Sequence, residues 1–241
     1  MPPKASNIKF FEAQNLANTG IRHAFTCRSG VPLEPLDKLA SRLIESFNLR
    51  CLLLVKQVHG TEALLYDGDC TGIEAYRKKP FDGIITSRPG LALGVRTADC
   101  VPVLLASPGK AVAAVHGGWR GILGSVIEKT VEKMSHAYGT DTGEIVAAIG
   151  PHIGPCCYEV GPDVAEAFVK HYGNNVLGPG RRDRPHLSLE AAARCALQKT
   201  GVRAENITVT GHCTCCSPEL FYSYRRDGRP TGRQISFICL L

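Results

Sequence analysis

Apolar residues recur along this chain in two rhythms, a helical one in four stretches and short unbroken runs between them. The first helix is expected from about Pro35 to Phe47, with Leu36, Leu39, Leu43 and Ile44 on one face. A second is expected from about Gly121 to Tyr138, where Ile122, Val126, Ile127, Val131 and Met134 make one buried stripe and Gly139 supplies the stop. Two more fall at about Pro162–Tyr172, opened by a proline at the first helical position, and Leu189–Lys199. Strands are expected around Ile8–Phe11 and Ile21–Thr26, then at Leu52–Val58, Gly83–Thr86, Leu91–Arg96, Val101–Ala106 and Ala111–Val115. Later ones follow at Glu144–Ile149, Ile207–Thr210 and Gln234–Leu240. Several of these runs are apolar on both faces, the pattern of strands that lie between two other layers.

The strands cluster in the middle of the chain, the helices do not alternate with them regularly, and no internal repeat is present. This order predicts an α+β fold, a mixed β-sandwich flanked by helices, in preference to a doubly wound sheet. A length of 241 residues without a low-complexity break suits a single domain over residues 1–241. Between the strand at Glu144–Ile149 and the next helix, Gly150-Pro151-His152-Ile153-Gly154-Pro155-Cys156-Cys157 is dense enough in glycine and proline to hold a defined loop shape.

Composition narrows the partners. Hydrophobic residues at 44% and charged residues at 21% are ordinary for a soluble protein, and no apolar run reaches the roughly 20 residues that cross a bilayer, so no membrane partner is expected. The net charge of +6 is dispersed, apart from Arg181-Arg182-Asp183-Arg184 and Arg225-Arg226, and suits anionic small molecules, phosphate included. With 7% aromatic residues and no helix-turn-helix or base-stacking motif, no nucleic-acid partner is expected. Met1 to Ser6 lack an apolar signal core, so the 11 cysteines are expected as thiols in a reducing cytoplasm, and their odd number argues against a full disulfide framework.

Three residues stand where apolar runs end: His59 in Lys56-Gln57-Val58-His59-Gly60, Cys100 in Thr97-Ala98-Asp99-Cys100-Val101-Pro102, and His116 before Gly117-Gly118-Trp119-Arg120-Gly121. Two imidazoles and a thiolate suit Zn2+, and three protein ligands leave a fourth position open. The same set also suits Cu2+. Each residue alone has an ordinary explanation, as a turn residue, a small buried hydrophobe or a bonded strand end, and their spacing matches no zinc finger. A competing reading makes Cys100 the nucleophile of a cysteine hydrolase with a histidine partner. Asp99 is the candidate proton carrier, although alternation along a strand could turn it away from Cys100. The glycine-rich turn from Gly117 to Gly121 lies between strand and helix, where free N–H groups favour an anion, and Arg120 is placed to clamp phosphate. The same glycines have a purely steric explanation.

Further on, His212-Cys213-Thr214-Cys215-Cys216 contains one C-x-x-C pair. Cys156 and Cys157 are conceivable partners for it, but adjacent cysteines rarely ligate one ion, and a packed, partly buried thiol cluster is the preferred reading. Tyr222 to Gly228 offers hydroxyls and guanidinium groups for ribose or phosphate, and equally reads as a solvated hairpin.

Lys56-Gln57-Val58-His59-Gly60, Asp82-Gly83, Thr97-Ala98-Asp99-Cys100-Val101-Pro102, His116-Gly117-Gly118-Trp119-Arg120-Gly121, Ile149-Gly150-Pro151-His152-Ile153-Gly154-Pro155-Cys156-Cys157-Tyr158-Glu159-Val160-Gly161 and Tyr224-Arg225-Arg226-Asp227 resemble in order the YfiH/LACC1 family, also called laccase-domain or polyphenol-oxidase-like. The resemblance implies a zinc site at His59, Cys100 and His116. It also implies phosphorolysis of adenosine, inosine, guanosine and methylthioadenosine, with phosphate as co-substrate and some adenosine deamination. The fold it implies is the CNF1/YfiH-like layered α-β-β-α sandwich, shared with proteins regarded as cysteine hydrolases. The chain departs from the family around Cys213-Thr214, where His212, Cys215 and Cys216 crowd the segment. The older family name implies a copper-dependent polyphenol oxidase. A multicopper centre uses many imidazoles, largely as His-x-His pairs, whereas this chain has 8 histidines and no such pair, which leaves at most a single copper in the three-residue site.

Overall fold

Strands with no polar face need a layer on each side, and the computed structural model, which describes residues 8–17, 19–28, 35–178 and 184–241, supplies them. Arg181 to Asp183 of the basic run and the opening Met1 to Ser6 lie outside the described residues. In chain order the elements are β1 (Phe10–Phe11), β2 (Ile21–Thr26), α1 (Leu36–Ser46), β3 (Cys51–Leu53), β4 (Ala63–Leu65), β5 (Gly83–Thr86), β6 (Leu91–Thr97), β7 (Val101–Ser107) and β8 (Ala111–Gly117). There follow α2 (Trp119–Leu123), α3 (Val126–Tyr138), β9 (Val146–Ile149), α4 (Pro162–Tyr172), β10 (Leu177–Gly178), β11 (His186–Leu187), α5 (Leu189–Lys199), β12 (Ile207–Val209), α6 (Tyr224–Asp227) and β13 (Gln234–Leu240).

A five-stranded sheet in the order β1-β2-β13-β6-β3 packs on a six-stranded sheet in the order β12-β9-β7-β8-β5-β4. Alternate residues of one strand feed different layers. Val101, Val103 and Leu105 of β7 join Ile127, Val131 and Met134 of α3 and Phe168 of α4, whereas Leu104 and Ala106 meet Leu93, Val95 and Ile238 of the opposite sheet. On β13, Phe237 and Cys239 turn the other way, against Leu39 and Leu43 of α1. The order of layers is therefore helix, sheet, sheet, helices, as the patterning and the resemblance predicted.

The expected elements are present, with four instructive differences. The helix expected over Gly121–Tyr138 is two helices, because Ser125 takes a left-handed conformation (φ 70°) after Gly124. A Cβ on Gly124 would stand 2.5 Å from Cγ2 of Thr61, so the glycine lets the chain before β4 press against this corner. The strand expected over Leu52–Val58 ends at Leu53, and Gln57 then bonds through its side chain to both the N–H and the C=O of Arg96, doing for β6 what a continued strand would have done. Tyr224–Asp227 is a helical turn capped by Ser223, where a hairpin was an expected alternative. Finally, not every cysteine is a thiol. Cys51 and Cys70 form a disulfide, because the turn after β4 brings their Cα atoms to 5.7 Å, within bridging range. The other nine are free, in accord with the absence of a disulfide framework. No helix among the described residues is long and apolar enough to cross a membrane.

The register converges four chain segments on one end of the larger sheet. β4 runs parallel to β5, which is antiparallel to β8, which is antiparallel to β7, so the starts of β4, β5 and β7 meet the end of β8. Gly83 pairs with Val115, and Pro102 pairs with His116.

Leu104→Ala, which empties a fully buried position between the sheets, should lower the unfolding free energy by about 2–5 kcal/mol in urea titration. Leu65→Ala, at a position 39% exposed on β4, should change it by less than about 0.5 kcal/mol.

Candidate metal centre and active site

Where those four segments meet, Asp82 sits just before β5 with no exposed surface. A buried carboxylate has to be paired and hydrogen-bonded, and this one is saturated. It accepts from the backbone N–H groups of Val58 (3.2 Å), His59 (3.0 Å) and Gly60 (2.7 Å), and from Nδ1 of His116 (2.7 Å). Burial pushes the carboxyl up, and the bonds from His116, Gly60 and Val58 outweigh that, holding it below its usual range. Asp82 thus folds the His59 loop around itself and turns Nε2 of His116 towards the site.

His59 takes a left-handed backbone (φ 59°) at the tip of that loop. Its ring lies edge-on to His116 with centroids 4.9 Å apart, and its Nε2 is 3.7 Å from Sγ of Cys100. The ligand atoms of His59, Cys100 and His116 all fall within 4.8 Å of one another. Gly118 makes this possible, since a Cβ there would stand 2.6 Å from Cδ2 of His59, and a Cβ on Gly121 would stand 2.9 Å from the Gly60 carbonyl oxygen. The glycines after β8 are thus explained by the close approach of the His59 loop, the steric reading of this turn.

Charge within the trio is strongly coupled. Burial pushes the Cys100 thiol up, but the charge and hydrogen bond of His116, with His59 beside it, bring it down to about 6. Burial likewise pulls His116 down, and the Cys100 thiolate and the Asp82 bond raise it to about 9. A thiolate between two imidazoles, one with its ring nitrogen fixed from behind by a carboxylate, is a donor set that fits zinc. The trio expected from sequence is brought together in full.

It forms one wall of a cavity of about 730 Å³. Arg96, Arg120, Arg225, Arg229 and Arg233 also line it, with Asp99 the one acidic side chain among the lining residues. The Arg120 guanidinium lies 4.5 Å over the Trp119 ring and that of Arg225 lies 5.2 Å over Tyr158. Of the Arg225-Arg226 pair singled out in the sequence, Arg226 does not line the cavity. Arg226 is spent on the carbonyls of Thr214, Cys215 and Phe221 and on Asp227.

Asp99, expected as a proton carrier, has a left-handed backbone (φ 91°) and both carboxylate oxygens engaged. One of its oxygens accepts from Oγ1 of Thr214 (2.6 Å) and the other from the backbone N–H of Arg225 (2.6 Å), tying two distant loops to the floor of the cavity. Sequence reasoning passed over Asp82 as a functional residue, together with Tyr158, Arg229 and Arg233. The signal for Asp82 was a lone acid immediately before a short strand centred on two isoleucines, Gly83–Thr86. The burial of Tyr158, reinforced by the Cys100 charge, pushes its hydroxyl up to about 12.

Residues 34–241 match the family described as multi-copper polyphenol oxidoreductase laccase. The adenosine deaminase RL5, from an unknown prokaryotic organism, is 35% identical to this chain over 195 residues, covering 78% of this chain and 74% of the relative. The purine nucleoside phosphorylase YfiH of Escherichia coli (strain K12) is 38% identical over 189 residues, covering 78% and 73%. The crystal structure of YlmD from Geobacillus stearothermophilus superposes with a TM-score of 0.87 at 27% identity, over 99% of this chain and 98% of that one.

Asp82→Asn should weaken metal binding about 10- to 100-fold in competition with a chelator, because a neutral amide holds the His116 ring less strongly and its NH2 group cannot accept from the backbone N–H groups of the His59 loop. In metal-free protein, the thiolate of Cys100 is populated above its lowered pKa. Its alkylation rate should therefore rise with pH through about 6 and level off by neutrality, well before an ordinary thiol of pKa 9.0 reacts fully.

Proposed function

The chain belongs to the YfiH/LACC1 family, and on that premise we propose that it is a zinc-dependent purine nucleoside phosphorylase that takes adenosine, inosine, guanosine and methylthioadenosine, with adenosine deamination as a second activity. The observation that carries the proposal is the pairing of the His59, Cys100 and His116 trio with a cavity lined by five arginines. A purine nucleoside and phosphate together need a space of this order, and pockets for small molecules run from about 300 to 1,000 Å³.

In phosphorolysis an oxygen of hydrogen phosphate forms a bond to the anomeric carbon while the bond from that carbon to the purine nitrogen breaks, and the phosphate's proton ends on that nitrogen, releasing the base and ribose-1-phosphate, or the corresponding 5-methylthio sugar phosphate from methylthioadenosine. Phosphate rests against Arg120 and Arg225, whose stacking on Trp119 and Tyr158 holds each guanidinium plane ready for a bidentate contact. The remaining arginines spread the charge that develops as the base departs. Tyr158, kept protonated across the neutral range, offers a hydrogen-bond donor to the bound nucleoside. Asp99 acts by positioning, since its bond to the Arg225 backbone and to Thr214 keeps the phosphate side of the cavity in place. Holding both reactants in line is worth about 7–11 kcal/mol of the barrier. His59, Cys100 and His116 would hold the zinc, which would supply Lewis acidity there. In deamination a water oxygen forms a bond to purine C6, the bond from C6 to the amino nitrogen breaks, and that nitrogen leaves as ammonia with a proton taken from the water, giving inosine from adenosine.

A second reading, a cysteine hydrolase, is favoured by one observation: a Cys100 thiol lowered to about 6 beside a protonated His116. The two readings separate on metal dependence.

Zinc-analysed protein is incubated with inosine and with adenosine, with and without phosphate, and the products are separated by chromatography. Hypoxanthine or adenine with ribose-1-phosphate, formed only with phosphate, is the expected result, and inosine from adenosine without phosphate marks the deaminase. Absence of turnover by zinc-loaded protein would overturn the proposal. Cys100→Ser should lose the zinc of the His59, Cys100 and His116 centre together with turnover, and activity that survives chelation would support the hydrolase. Arg225→Ala should raise the KM for phosphate about 10- to 100-fold, the worth of a charge-assisted contact.

A further inference from the structure

The thiols at Cys156, Cys157, Cys213 and Cys216 make a second cluster, separate from the residues that line the cavity. Packing as small hydrophobes does not explain it, because Cys156 and Cys216 are exposed and the other two are half-buried. Nor does disulfide pairing. Sγ of Cys216 stands 3.5 Å from that of Cys156 and 3.3 Å from that of Cys157, far beyond the roughly 2.0 Å of a bond between sulfurs, and the single Cys216 faces both. All four sulfurs lie within 4.8 Å of one another. A zinc ion with bonds of about 2.3 Å in tetrahedral geometry separates its sulfurs by about 3.8 Å, so shifts of fractions of an ångström convert the cluster into a coordination shell.

The objection from adjacent cysteines falls on local conformation. Successive side chains diverge along a strand, but Cys156 and Cys157 lie in a tight turn, where the N–H groups of Cys157 and Tyr158 both bond to the Gly154 carbonyl at 3.0 Å and the two thiols face one partner segment. The other pair is the C-x-x-C of Cys213 and Cys216, the spacing that zinc sites use. Two further features belong to a metal-thiolate site. The Gly154 N–H donates to Sγ of Cys213 at 3.2 Å, an outer bond that would favour the thiolate, and a Cβ on Gly154 would stand 3.2 Å from Sγ of Cys156. The backbones also lock together beside the thiols, with Thr214 N–H donating to His152 C=O at 2.9 Å and His152 N–H to His212 C=O at 3.3 Å.

We infer that Cys156, Cys157, Cys213 and Cys216 form a second zinc site, a closed all-thiolate tetrahedron distinct from the His59, Cys100 and His116 centre. With four protein ligands it has no open position and its role is structural. It clamps the loop that carries Ile153 and Tyr158 to the segment whose Thr214 holds Asp99, while Arg225 bonds to the carbonyls of Cys157 and Glu159 from the cavity side. Removing the ion frees the wall that holds Tyr158 and Arg225, at a distance from the reacting atoms.

Zinc is counted per folded chain by elemental analysis in the native protein and in Cys100→Ser, Cys216→Ser and the double variant. The expected result is two zinc ions in the native chain, one in each single variant and none in the double variant. Cobalt substituted into Cys100→Ser should show the intense visible bands of tetrahedral all-thiolate coordination. A single zinc in the native chain, lost entirely in Cys100→Ser, overturns the inference. Should Cys216→Ser fail to fold, native zinc-loaded protein is alkylated with N-ethylmaleimide and mapped by mass spectrometry. The four thiols should be protected until a chelator is added, while the free thiols Cys195 and Cys215 react from the start. Labelling of the four without chelator, a disulfide among them, or iron with acid-labile sulfide in place of zinc each overturns it.

Discussion

Everything at the site depends on one buried carboxylate. Asp82 has no exposed surface, and an uncompensated charge there would be strongly destabilising, so the surrounding chain is arranged to pair it. Three backbone N–H groups from the Val58–Gly60 loop and one imidazole nitrogen from the end of β8 complete its shell. Those same bonds define where His59 and His116 stand. The energetic requirement of satisfying Asp82 and the geometric requirement of presenting two imidazoles to a thiolate are therefore met by one set of contacts. The glycines at 118 and 121 belong to this arrangement, because any side chain there would push the His59 loop off the carboxylate.

The two sheets explain why such an arrangement stays put. β5, β7 and β8 are buried on both faces, between a helical layer and a second sheet, so the strand ends that carry Asp82, Cys100 and His116 have little freedom. Part of the cavity's lining comes from loops and a short helix. Ile153 and Tyr158 from the loop after β9 and Tyr224 and Arg225 from the short helix α6 line it there, tied to the 212–216 segment by Asp99, by Arg226 and, in our reading, by a metal-thiolate clamp. Five arginines converging on one cavity repel one another, and a wall of loops needs cross-links to hold them there.

Most of the fold was legible in the chain, since burial on both faces leaves unbroken apolar runs such as Val101–Leu105, and a helix with one buried stripe repeats at Leu39 and Leu43 or at Val126, Ile127, Val131 and Met134. What misled was local. The left-handed Ser125 that splits the second helix answers to the packing of Gly124 on Thr61, a contact between residues far apart in sequence. The end of β3 is taken over by the Gln57 side chain, which no periodicity registers. The Cys51–Cys70 bridge belongs with these, because pairing depends on how a turn returns to a strand.

The candidate site divides along the same line. Sequence by itself determined the ligand types, because a thiol and two imidazoles at the ends of apolar runs are chemistry written in residue identity and in its resemblance to a family. It also determined the layering, because hydrophobic pattern follows directly from burial. Tertiary structure alone decided the partners: that Asp82 stands behind His116, that Asp99 bonds to Thr214 and Arg225, and that Cys156 and Cys157 meet Cys213 and Cys216. Those relations are set by strand register and loop closure, which bring residues from opposite ends of the chain within hydrogen-bonding distance, and neither leaves a periodic trace in the sequence.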